Sequence, residues 1–168
     1  MAAGGSHRHK GVGPGTPPAR SPDSDNGKTR AVSKLVFKIP SNFEAGHEVQ
    51  RQIMEDLEKA GFSAHSFFAL KLALEEALVN AIKHGNRLDP RKTVSITSSV
   101  SPDRAEITVE DQGAGFDRSH VPDPTCDANL EKCSGRGILL IESYMSRVRW
   151  DRGGRRLKMV KENEADRE

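Results

Sequence analysis

Glu75-Glu76-Ala77-Leu78-Val79-Asn80-Ala81-Ile82-Lys83-His84-Gly85-Asn86 is the stretch on which the reading of the whole chain turns. At ~100° per residue, Glu76 and Asn80 lie about 40° apart on a helix, and His84 continues the same edge. Leu70, Ala73, Leu74, Ala77 and Ala81 form an apolar stripe beside them, so this polar edge borders a core. Lys71 and Glu75 fall on the far side, spaced as a solvated i, i+4 pair. His84-Gly85 reads as the helix end, with a histidine at the negative end of the dipole and a glycine cap. The spacing predicts a helix from about Ser63 to Gly85.

A carboxylate half-buried at such an edge can take a proton from a water or a hydroxyl. An amide oxygen one turn further on suits Mg2+, which takes a few protein oxygens together with phosphates. In isolation the pair reads more readily as a polar rim without chemistry. The residues downstream change that.

Thr93–Val100 and Arg104–Asp111 alternate apolar and polar residues around Pro102-Asp103 and are expected to pair as an antiparallel hairpin. Ile107, Val109 and Asp111 share one face, which sets an acid on the core side, where an unpaired carboxylate is costly. It needs a donor, and the exocyclic amine of adenine is one. In Asp111-Gln112-Gly113-Ala114-Gly115-Phe116-Asp117 the two glycines allow a sharp turn and the close approach of a flat ring. Glycines at the third and fifth positions rule out a calcium loop, and no Gly-Lys-Ser/Thr follows a glycine run to make a P-loop. Ser134-Gly135-Arg136-Gly137 opens a predicted helix over Gly135–Arg147. Free N–H groups and the positive dipole end make its start a phosphate cradle, with Arg136 or Lys132 as the cation. The element before it is a long loop instead of a strand, so the dinucleotide fingerprint does not apply.

Working outward, Ser33–Pro40 alternates as a half-buried strand ended by proline, and residues 44–60 place Val49, Ile53, Leu57 and Ala60 at helical spacing before Gly61. Residues 112–134 lack apolar periodicity and contain Pro122 and Pro124, which points to a functional lid. Val148–Asp151 and Leu157–Val160 read as two last strands joined at Gly153-Gly154. The order β-α-α-β-β-lid-α-β-β makes an α+β two-layer sandwich, a mostly antiparallel sheet with helices on one face. Residues 1–31 are expected to be a disordered Gly/Pro-rich tail, 32–162 the folded domain, and 163–168 a charged C-terminal tail.

In 168 residues, 35% hydrophobic and 5% aromatic, there is room for one modest core. A balance of 26 basic against 24 acidic residues argues against direct nucleic-acid binding. The basic run Arg147, Arg149, Arg152, Arg155, Arg156 and Lys158 alternates on strands and is expected to face solvent or a protein partner. Cys126 and Cys133 make no disulfide framework and are expected to be free thiols. With no apolar run near the ~20 residues that span a bilayer and no secretory signal, the expected setting is the cytoplasm, without a membrane.

In their order, the three runs resemble the N box, first glycine box and second glycine box of the GHKL (Bergerat-fold) ATP-binding superfamily. Glu76–Asn86, Glu110–Asp117 and Gly135–Met145 are similar in particular to the anti-sigma factor serine/threonine kinases, over about residues 33–161. The resemblance implies ATP and Mg2+ as cofactors, Glu76 as general base and Asn80 as the Mg2+ ligand. It implies Asp111 on adenine, Gly113 and Gly115 lining the base pocket, and Gly135, Arg136 and Gly137 on the phosphates beneath the lid. Lys83, His84 and Lys132 join the ATP-binding set. Such kinases phosphorylate a small anti-anti-sigma (STAS-type) protein, hold a sigma factor and commonly form homodimers. Two positions depart from the pattern. Arg155 and Arg156 follow Gly153-Gly154 where a threonine is frequent, and Cys133 stands where some relatives carry a cation. The leading reading is a serine/threonine kinase acting as an anti-sigma regulatory factor. The alternative is a non-catalytic ATP-binding module that sequesters a partner. A histidine-kinase catalytic domain is disfavoured, because no helical hairpin with an acceptor histidine fits the first 30 residues.

Overall fold

A computed structural model of the chain describes residues 33–115 and 133–164, with residues 133–135 described by their backbone alone. The tail 1–31, residues 116–132 of the expected lid with Cys126 and Lys132, and residues 165–168 lie outside the described residues.

Strand β1, Ser33–Pro40, alternates as its sequence requires: Leu35, Phe37 and Ile39 turn toward the core and Val36 is 71% exposed. Asn42 accepts from the Ala45 N–H at 2.8 Å and starts α1, Phe43–Lys59, whose Val49, Ile53 and Leu57 are buried. Gly61, at φ 77°, turns the chain, and Ser63 caps α2, Ala64–Val79, by accepting from the Ser66 N–H at 3.2 Å. The stripe expected on this helix, Leu70, Ala73, Leu74, Ala77 and Ala81, is buried throughout. The helix does not keep α geometry to Gly85. Asn80–Gly85 form a single π-helical turn, and the chain leaves it through Arg87 and Leu88, both left-handed at φ 55° and 56°.

Strands β2, Thr93–Val100, and β3, Arg104–Glu110, form the expected hairpin. Helix α3, Cys133–Tyr144, starts earlier and ends earlier than its periodicity suggests. Strands β4, Arg147–Asp151, and β5, Arg156–Glu162, follow, joined through left-handed Arg152, Gly153 and Gly154. The sheet order is β1-β2-β3-β5-β4, and every pairing is antiparallel. Phe37, Ile96, Val109, Leu157 and Trp150 stand in one row across it, and Leu35, Ser98, Ile107, Met159 and Val148 in the next. Both rows belong to the core cluster that the helices cover, apart from the buried Ser98. The result is the two-layer α+β sandwich with helices on one face.

The strand residues of the basic run, Arg147, Arg149, Arg156 and Lys158, lie on the opposite, helix-free face, with Arg152 and Arg155 in the turn between β4 and β5. Arg147 pairs with Glu162 at 3.0 Å, Lys158 with Glu106 at 2.8 Å, and Arg152 and Arg156 share Glu110 at 2.8 and 2.7 Å. Exposed pairs of this kind contribute about 0–1 kcal/mol each, so they order this face more than they stabilise it. Beyond β5, Asn163 accepts from the Ser63 N–H at 3.0 Å and donates to Pro102 O at 2.8 Å. Among the described residues, no helix is long and apolar enough to cross a membrane.

Candidate nucleotide site

Two close contacts bring the three motifs together. At the first, Gly137 of α3 is buried against α2: a Cβ on it would overlap the Glu76 carboxylate and lie 3.7 Å from Asn80 Nδ2. Glu76 and Asn80 are both half-buried, and among the described residues neither side chain has a hydrogen-bond partner. The Asn80 amide nitrogen is fully enclosed. Leaving such a group unsatisfied costs about 1–3 kcal/mol.

At the second contact Asp111, just past the end of β3, lies against the π turn. A Cβ on Gly85 would come within 2.6 Å of Asp111 Oδ1, and a Cβ on Gly113 would overlap the Gly85 carbonyl oxygen. Gly85 is therefore glycine because a carboxylate packs on it; the left-handed residues come later, at Arg87 and Leu88. That corrects the reading of Gly85 as a simple cap. The Gly113 N–H donates to Asp111 Oδ1 at 2.7 Å, and the Asp111 N–H donates to Arg155 O at 3.1 Å. Burial pushes the Asp111 carboxyl above its ordinary value, opposed by the Gly113 N–H and the nearby Arg155 charge.

Asn86 holds this second contact in place and was not singled out in the sequence. Fully buried, it accepts from the Gln112 N–H at 2.7 Å and donates to Ser41 Oγ at 2.7 Å and Thr93 O at 2.9 Å. It ties the helix end to the loop that carries Asp111 and Gly113. An asparagine after a helix-ending glycine gives only a turn signal in sequence; that it bridges three other segments is a property of the tertiary fold.

The remaining expected residues fall around these contacts. Gly115, at φ 80°, lies against Gly153, so the base-side loop meets the β4–β5 turn. Arg136, Lys83 and His84 are exposed. The wide turn explains His84: each residue advances the helix less than in α geometry, so it drifts off the line of Glu76 and Asn80. Lys71 and Glu75 are exposed as expected but make no ion pair with each other. Gly135, expected to open α3, is its third residue, since the helix starts at Cys133, and Lys132 lies outside the described residues.

An antiparallel sheet that sets an acid at a strand end, beside a helix whose acid and amide meet a glycine-led helix, defines an ATP-binding domain of the histidine-kinase-like type. The model of the histidine kinase-like ATPase domain matches residues 39–161, and the chain belongs to that family. Over 128 residues it is 32% identical to serine-protein kinase RsbW of Bacillus licheniformis, covering 71% of this chain and 79% of the relative. It is 29% identical over 123 residues to the RsbW of Bacillus subtilis strain 168, covering 68% and 76%. A crystal structure of the RsbU and RsbW domains of a Mycobacterium tuberculosis protein superposes with a TM-score of 0.54 at 17% identity. That match covers 79% of this chain and 32% of the other, and speaks for the fold.

Proposed function

We propose that this chain is an ATP-dependent serine/threonine protein kinase of the anti-sigma regulatory kind, which phosphorylates an anti-anti-sigma (STAS-type) protein and sequesters a sigma factor. Its relatives are serine-protein kinases, matched over most of their length. The observation that carries the reading is the pair Glu76 and Asn80, half-buried and without hydrogen-bond partners among the described residues, under Gly137. These are the groups phosphoryl transfer needs, left unsatisfied where α3 meets α2.

Asp111 accepts from the exocyclic amine of adenine, and Gly85, Gly113 and Gly115 leave room for the ring. The start of α3, with Gly135 and Arg136 in its first turn and Gly137 just after them, directs N–H groups and a positive dipole end at the phosphates. Asn80 fits Mg2+: turned about its last torsion, its amide presents a neutral oxygen where its nitrogen now finds no acceptor. Bound there with the triphosphate, the ion would neutralise phosphate charge. Glu76 orients the acceptor serine or threonine hydroxyl and takes its proton. The hydroxyl oxygen bonds to the γ-phosphorus, the bond from that phosphorus to the β,γ-bridging oxygen breaks, and ADP leaves with the electron pair. Such transfer depends on positioning and charge neutralisation more than on covalent chemistry with the protein. Action in the cytoplasm and assembly as a homodimer belong to the same reading.

The test is incubation with γ-labelled ATP and a purified STAS-type protein. Label is expected on the partner, and Glu76→Gln should lower the transfer rate by about 10²–10⁴ while nucleotide affinity is kept. Nucleotide binding with no transfer to any such partner would leave sequestration as the function.

A further inference from the structure

The loop that carries Asp111, Gly113 and Gly115 rests on the β4–β5 turn. The Asp111 N–H donates to Arg155 O at 3.1 Å, one residue past the end of β3. Gly115 packs so closely on the turn that a Cβ there would overlap Gly153 O. A third tie runs through Glu110, whose side chain lies on the helix-free face with that of its β5 register partner, Arg156. Arg156 donates to Glu110 Oε2 from Nε at 2.8 Å and from Nη2 at 2.7 Å. Arg152 Nη1 donates to Glu110 Oε1 at 2.8 Å, although Arg152 follows β4 and β5 lies between that strand and β3. One carboxylate, its side chain 21% exposed, thus joins the end of β3, the start of β5 and the turn after β4.

We propose that Glu110 is a positioning residue for the nucleotide: from the face opposite the site it fixes the β4–β5 turn through Arg152 and Arg156, and the turn holds the Asp111–Gly115 loop ready for the base. Side-on pairing of Arg156 with a carboxylate fixes geometry as well as charge. A loop held in its binding shape loses less freedom when the ligand arrives.

The residue at the far end of the clamp points the same way. Arg152 is left-handed at φ 53°, a conformation that glycine takes far more readily. The turn's backbone therefore gives no reason for an arginine there, whereas the pairing with Glu110 does. Within the turn the Gly154 N–H donates to Asp151 O and Arg155 Nε to Arg152 O, both at 3.1 Å, so it is fixed as a unit. Asn86 holds the same loop from the helix end, through the Gln112 N–H. Glu110 secures the support on its other side.

This rests on the nucleotide reading above, and the test separates the two. Calorimetry with Mg-ATP and urea unfolding would be run on the full chain for wild type, Glu110→Ala, Arg152→Ala and the double variant. Glu110→Ala should weaken Mg-ATP binding about tenfold, within the range for residues of one network. The double variant should bind no more weakly than Glu110→Ala, because Arg152 acts only through that carboxylate. Urea midpoints should stay close to wild type, since exposed ion pairs add little stability. In transfer to a STAS-type protein, the KM for ATP should rise while kcat is kept, because Glu76 and Asn80 are untouched. Unchanged affinity in Glu110→Ala would overturn the proposal and leave the nucleotide reading standing. So would additive losses in the double variant, a lower kcat at unchanged KM, or a binding loss matched by collapse of the urea midpoint. No binding of Mg-ATP to wild type would overturn the nucleotide reading itself, and this proposal with it.

Discussion

The two ends of the candidate site are built on opposite terms. Around Asp111 nearly every polar group is answered within the protein: Asn86 bridges three segments, Gly113 N–H reaches the carboxylate, and the Asp111 N–H reaches Arg155 O. Around Gly137 the reverse holds, with Glu76 and the enclosed Asn80 amide unanswered among the described residues. The base end belongs to the stability of the fold. The phosphate end carries a standing cost that a ligand can remove, as functional groups do when they are kept at the expense of stability.

The largest effect expected from this contrast is at Asn86. Asn86→Ala would strand the Gln112 N–H and Thr93 O, while Ser41 Oγ keeps its bond to Lys92 O, and at about 1–3 kcal/mol for each stranded group the loss should reach at least about 2 kcal/mol. Urea unfolding measures it directly. A loss below about 1 kcal/mol, the range of ordinary surface changes, would mean that the base end is not fixed by this amide.

Adding a methyl group at each contact sharpens the comparison. On Gly113 it would meet the backbone oxygen of Gly85, which cannot step aside cheaply. Gly113→Ala is therefore expected to cost about 2–3 kcal/mol, toward the upper end of the overpacking range. On Gly137 it would meet the end of the flexible Glu76 side chain, while alanine gains about 1 kcal/mol of helix propensity in α3. Gly137→Ala should stay within about 1 kcal/mol of wild type in unfolding experiments yet lose phosphoryl transfer, because Glu76 is displaced. Equal stability costs at the two glycines would erase the distinction between the ends.

The difference between the ends also marks what could be seen in the chain beforehand. The placement of Glu76, Asn80 and Asp111 was legible because it depends on local period: one helical turn and one strand face. The antiparallel sandwich was legible for the same reason, from alternation in Leu35–Ile39, Thr93–Val100 and Arg104–Val109. Asn86 and the packing reason for Gly85 were not, since each depends on a partner far along the chain, Gln112 and Asp111. The π turn was equally hidden. Ala81 and Ile82 fit an α-helical stripe as well as a π turn, and only the fold tells them apart.

A smaller effect of opposite sign is expected at Asn80. Asn80→Leu removes a buried amide nitrogen with no partner, so the nucleotide-free protein should gain about 1 kcal/mol. The thermal shift given by Mg-ATP should shrink in the same variant. Loss of stability in the free protein would show that the amide is already satisfied, and the phosphate end would then resemble the base end.

Asp111 gives the smallest effect, and it qualifies the contrast. Burial raises its carboxyl in the folded chain above the ordinary value of 3.8, so the folded state holds this proton more tightly than the unfolded state does. Its contribution to stability is therefore greatest at low pH. That contribution declines as the pH rises from the unfolded value through the folded one, then stays level. Asp111→Asn has no such titration. Relative to that variant, nucleotide-free wild type should lose stability as the pH rises through that window in urea unfolding, and the difference should be flat near neutrality. Saturating Mg-ATP should reverse the trend, because an amine donor favours the ionised carboxylate. A difference independent of pH in the free protein would mean that Asp111 is fully compensated by Gly113 and Arg155. Otherwise this one carboxylate, at the end of the site that is otherwise satisfied, shares the condition of Glu76 and Asn80: its charged form is completed by a ligand.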